Sequence, residues 1–172
     1  LLPSANTDLA VRQYISSVLD RRLLINAVVG GGGTAKLLPI AEGTYYRKHG
    51  DSFPEETAGS KPSAVTLIVN EADKDLLRLS SVLRSQLEDL EITCTVTAYK
   101  TEEYGAAVAA GNYDFALLNL QIGLWPGLYE LFASDGSLNY NKYSDASMDS
   151  LLRSLRTAYR DASVSGVTDF AS

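Results

Sequence analysis

The chain predicts an α/β fold built on a parallel β-α-β-α-β core over residues 65–121, with further helices at its flanks. Three observations carry this. An apolar run at Val65–Val69, an alternating stretch at Ile92–Ala98 and a second apolar run at Phe115–Leu118 are separated by segments of helical periodicity. Strands joined by helical crossovers pair in parallel, and a parallel sheet needs cover on both faces. The length of 172 residues, with 45% hydrophobic and 21% charged residues, suits one domain spanning 1–172 with a sizeable core.

In chain order, Thr7 or Asp8 can cap a first helix, whose Leu9, Ile15, Val18 and Leu19 fall on one face. A second short helix follows over Arg21–Val29 and stops at Gly30–Gly33, because consecutive glycines cost too much backbone entropy in a helix. From there to Ser63 the text is polar and Gly/Pro-rich with scattered aromatics, a long irregular connection over 30–63. After the first core strand, Leu76, Leu79, Val82, Leu83, Leu87 and Leu90 make an apolar stripe on a helix laid against the sheet. Ile92, Cys94, Val96 and Ala98 alternate with threonines, the period of a strand buried mainly on one face. Tyr104–Ala110 forms a small-residue helix closed by Gly111, and Phe115–Leu118 reads as a central strand. Beyond it, Leu128–Phe132 gives one or two helical turns and Asp135-Gly136 a turn. Ser144 or Asp145 caps a last helix carrying Met148, Leu151, Leu152, Leu155 and Tyr159 on one face, and the tail from Ser163 is weakly patterned.

Charge and motif content exclude several functions. A formal charge of −6 speaks against nucleic acid, whose phosphates require a basic face. No apolar run reaches the roughly 20 residues of a spanning helix. Cys94, the single cysteine, makes no internal disulfide and reads as a small core residue. Gly30, Gly32 and Ala35 fit a dinucleotide spacing, but the run leaves a helix and opens a loop where that motif leaves a strand and opens a helix. His49, the only histidine, sits in a polar stretch without a nucleophile partner. Asn70, Glu71, Asp73 and Asp75 lack the turn glycine and terminal glutamate of a calcium loop, and read as a strand end running into an acid-favouring helix start. No catalytic residue, metal site or cofactor is expected, and the inference runs to binding. Ligands of open α/β sheets lie beyond the carboxyl ends of the parallel strands, which nominates Asn119, Gln121 and Trp125; the adjacent rings of Tyr45 and Tyr46 suit a recognition surface.

Several segments resemble the family 5 extracellular solute-binding proteins, the peptide and nickel receptors of ABC importers. They are Asp8-Leu9-Ala10-Val11-Arg12-Gln13-Tyr14-Ile15 with Leu19-Asp20-Arg21, then Leu67-Ile68-Val69-Asn70, Gln86-Leu87, Ile92–Val96, Tyr104, Gly111–Phe115, and Asn139–Tyr143 with Met148–Leu152. The resemblance implies a three-layer-like lobe of a type II periplasmic-binding-protein fold, the second lobe of a hinged, two-lobed receptor. Its partners would be the N-terminal lobe, an ABC permease and a small peptide or similar solute, and its location extracellular or periplasmic with a lipid anchor. The start at Leu1-Leu2-Pro3, without Met or a leader, fits a piece of something longer. Two departures stand out. The acid that pairs with a peptide's amino terminus in such receptors would fall near Gly123, yet no acid lies between Phe115 and Tyr129; and Leu90-Glu91 replaces the usual glycine before the second strand. A ligand-sensing domain of an intracellular transcriptional regulator with the same fold is the alternative.

Overall fold

A computed structural model describes residues 1–30, 32–34, 59–120 and 128–169, with side chains of the last helix described as far as residue 157. The chain divides into two units, Leu1–Gln121 and Ile122–Ser172. The connection expected over 30–63 lies largely outside the described residues.

In the first unit the helices begin and end where local chemistry dictates. Helix α1 (Leu9–Val18) is capped by Asp8, whose side chain accepts from Ala10 N at 2.8 Å. Thr7 is not the cap: its buried hydroxyl donates to Asp114 O at 2.8 Å. Helix α2 (Arg21–Val29) is capped by Asp20, which accepts from Arg22 N and Leu23 N. It ends on Gly30 at φ +60°, a left-handed conformation that glycine adopts without a Cβ penalty.

Strand β2 (Ala64–Asn70), helix α3 (Lys74–Asp89), strand β3 (Thr93–Tyr99), helix α4 (Thr101–Ala110) and strand β4 (Phe115–Ala116) follow in the expected alternation. A two-residue strand β1 (Leu2–Pro3), which no periodicity announces, pairs antiparallel with β4. The sheet order is β1-β4-β2-β3, with β2 parallel to both β3 and β4. Phe115–Ala116 is therefore central, as the apolar run predicts, though only two residues are paired as strand; Leu117 N adds a bond to Ile68 O at 3.0 Å.

The two crossover helices take opposite faces. Val65, Leu67, Val69, Cys94, Phe115 and Leu117 pack with Leu83 and Leu87 of α3 and Ile15 of α1. Ile68 and Ala116 point the other way and pack with Tyr104 and Val108 of α4 and with Tyr113. Each large aliphatic side chain so buried contributes roughly 1.5–3 kcal/mol. Cys94 is a core residue, and burial raises its thiol pKa.

Three polar devices hold these layers in register. Gln86 of α3 clasps the α1–α2 turn, accepting from Asp20 N at 2.9 Å and donating to Asp20 O at 3.3 Å. The Asp114 carboxylate accepts from Thr66 N and Thr66 Oγ1 at 2.7 and 2.8 Å, while Asp114 N donates back to Thr66 Oγ1 at 2.9 Å. Buried Ser4 donates from its backbone N to Asp114 O and from Oγ to Gly111 O, which anchors β1 beside β4. Before β3, at the position where the resemblance expects glycine, Glu91 takes φ +60°.

The second unit contains helix α5 (Leu128–Phe132) and helix α6 (Ala146–Asp169). Asp145 caps α6 by accepting from Met148 N at 2.8 Å. The α6 backbone stays helical to Asp169, into the segment expected to be a weakly patterned tail; no proline follows Pro126 to interrupt its hydrogen-bond ladder. Buried Asp149 accepts from Ser134 N at 2.8 Å and closely from Ser134 Oγ, which holds its carboxyl below the ordinary carboxylate range, with Arg153 nearby adding to the effect. Asn139 organises the intervening loop, donating to Ala133 O and Tyr143 O and accepting from Tyr143 N.

Candidate functional site

Because α3 and α4 pack on opposite faces of the sheet, their first turns diverge above the paired carboxyl ends of β2 and β3, next to the β2–β4 boundary where the strand order reverses. An open hollow of about 690 Å³ lies there, lined by Asn70, Ala72, Asp73, Lys74, Asp75 and Thr101.

The sequence folds this way for local reasons. Asn70 ends β2 and turns its Oδ1 to accept from Ala72 N at 3.0 Å and Thr101 Oγ1 at 3.1 Å, so one side chain ties together the starts of both helices. Glu71 N donates to Tyr99 O at 2.9 Å, closing the end of the ladder. Asp73 caps α3 by accepting from Asp75 N and Leu76 N, and Asp75 adds a carboxylate to the first turn. Helix α4 has Lys100 at its N-cap without a side-chain capping bond and carries Glu102 and Glu103 in its first turn. The acidic cluster at residues 71–75 is thus a strand end running into a helix start, as read from the sequence. Among the described residues no group of three or more His, Cys, Asp or Glu can hold a metal.

One strand over, the exit of β4 is held from below. The Tyr104 hydroxyl donates to Leu117 O at 2.6 Å, and burial, helped by Tyr113, pushes its phenol up to about 12. Asn119 lies just beyond and is exposed. The pairs Leu67↔Phe115 and Ile68↔Ala116 put Leu118 level with Asn70, so Asn119 stands past the carboxyl ends, as predicted. Tyr45, Tyr46, Gln121, Gly123 and Trp125 lie outside the described residues. Ala72, Lys74 and Thr101 escaped sequence reasoning, since only the divergence of the two crossovers brings them to one place. The described residues here offer amide, hydroxyl, carboxylate and ammonium groups suited to hydrogen bonding and charge pairing.

Neither a family model nor a curated protein matches this sequence. Solved structures do match its fold. HbpA2 from Haemophilus parasuis superposes with a TM-score of 0.73 at 15% identity, over 88% of this chain and 35% of that one. NikA from Staphylococcus aureus, solved in complex with Ni(L-His)2, gives 0.67 at 15% identity over 85% and 35%. The oligopeptide-binding protein AppA from Bacillus subtilis, in complex with a nonapeptide, gives 0.60 at 20% identity over 86% and 35%. The chain spans about a third of the length of these structures. It has the mixed α/β lobe fold of the peptide- and nickel-binding proteins of ABC importers.

Proposed function

We propose that this chain is one lobe, the second, of the substrate-binding component of an ABC importer, taking an oligopeptide or a related small solute. The observation that carries the reading is the open hollow beyond the carboxyl ends of β2 and β3, on a fold shared with proteins solved around a nonapeptide and a nickel–histidine complex. Asn119, with Gln121, Gly123, Trp125, Tyr45 and Tyr46, would face the ligand. The first lobe would supply the other half of the contacts, and the permease would engage the closed form. A ligand touching both lobes stabilises closure by its differential affinity for the closed state. The reading also carries an extracellular or periplasmic location with a lipid anchor; among the described residues, no helix is long and apolar enough to cross a membrane. No acid lies between Phe115 and Tyr129, so a peptide's amino group would not be received by that route.

Nuclear magnetic resonance titration of the chain with a mixture of short peptides, and separately with nickel–histidine, tests the reading. Half a cleft should bind with a dissociation constant above about 1 mM. The shifted amides should cluster at residues 70–75, 101 and 118–119. Saturation well below that concentration, or shifts confined to other surfaces, would overturn it.

A further inference from the structure

We propose that the outer edge of β3 pairs antiparallel with the same strand of a second copy of this chain, joining the two sheets across a two-fold axis through Val96. The inference does not rest on the ligand reading. Strand β3 is last in the sheet order, and β2 is its neighbour. In a parallel ladder alternate residues turn both backbone groups to the same neighbour. Thr93 N donates to Ser63 O at 3.0 Å and Tyr99 O accepts from Glu71 N at 2.9 Å, so Thr93, Thr95, Thr97 and Tyr99 face β2. The N–H and C=O groups of Cys94, Val96 and Ala98 therefore point outward, where nothing takes them among the described residues.

Natural sheets blunt such an edge with charge, proline or a bulge. Here the register runs unbroken from Ala64↔Thr93 to Asn70↔Tyr99, and Thr93–Tyr99 contains neither a charge nor a proline. The edge is also self-complementary. About a two-fold through Val96, the outward groups of Val96 meet those of the second copy's Val96, and Cys94 meets Ala98. The intervening pairs are Thr95 with Thr97 and Thr93 with Tyr99, threonine–threonine and aromatic–β-branched pairs of the kind that stabilise antiparallel strands.

Sedimentation velocity of the full chain over a concentration series tests this. The weight-average mass should rise from 18.6 kDa toward twice that value. Thr95 and Thr97 are exposed and point away from the face carrying Cys94, so T95K/T97K should leave the circular dichroism unchanged while weakening the dimer about tenfold, because it sets like charges across the axis. T95K/T97E sets opposite charges across the same axis and should restore it. A monomer at every concentration, growth past two copies, or an association that the charge pairs do not switch in this order would each overturn the proposal.

Discussion

Replacing Asp114 by alanine removes the acceptor of two hydrogen bonds that tie β4 to β2, from Thr66 N at 2.7 Å and Thr66 Oγ1 at 2.8 Å. A hydrogen bond to a charged group is worth about 1.5–3 kcal/mol, and water competes at this exposed position, so the low end applies to each and the pair amounts to about 2–3 kcal/mol. Asp114→Asn keeps one carbonyl oxygen facing Thr66 and should lose about half as much. The Thr66 hydroxyl also accepts from Asp114 N at 2.9 Å, so the two residues form a reciprocal unit. In a double-mutant cycle, Asp114→Ala and Thr66→Val should show a coupling of about 1 kcal/mol or more. Urea unfolding followed by circular dichroism gives the free energies, and hydrogen exchange at the Thr66 amide reports the bond directly. The bracket also sets the β2–β4 register and hence where Asn119 stands relative to Asn70. An Asp114→Ala variant within 0.5 kcal/mol of the parent (roughly the scatter of surface substitutions), with Thr66 exchange unchanged, would refute the reasoning.

Glu91 sits at φ +60°, where a Cβ costs about 1–2 kcal/mol, so Glu91→Gly should be about 1 kcal/mol more stable than Glu91→Ala; both lose the exposed bridge to Lys61, which cancels in the comparison. Equal midpoints in chemical denaturation would contradict the strain. Tyr104→Phe leaves the buried carbonyl of Leu117 without its donor and should cost about 1–3 kcal/mol. The folded phenol titrates at about 12 against an ordinary value of 10, so its contribution is whole below pH 10 and fades as pH rises from 10 toward 12. The parent should lose stability across that interval more steeply than Tyr104→Phe, and parallel decline of the two would sink the assignment.

What could be read from the sequence is what a residue and its near neighbours decide. The span of α2, the glycine stops at Gly30 and Gly111, the Asp145 cap and the alternation of Ile92–Ala98 are contests between local conformations, and each residue type carries its own preference. Strand β1 could not be read this way. Leu2-Pro3 has no period to show, and its place comes from Ser4 and Thr7 bonding to Gly111 and Asp114, more than a hundred residues away. The same holds for Thr7, which looks like a cap by composition but is taken by a distant carbonyl while Asp8 does the capping.

The hollow belongs to this second class, and the reason is topological. Asn70 and Thr101 are thirty-one positions apart and neither is unusual in its own segment. They meet because the chain crosses one face of the sheet between β2 and β3 and the other face between β3 and β4, so the two helix starts diverge above adjacent strand ends. The choice of face follows from the right-handed crossover: β3 and β4 lie on opposite sides of β2, so the two connections take opposite faces, and β2 is apolar on both, Val65, Leu67 and Val69 toward α3 and Ile68 toward α4. The hollow is therefore specified by the core beneath it, and substitutions at Leu67 or Ile68 should shift the residues that line it although neither lies among them.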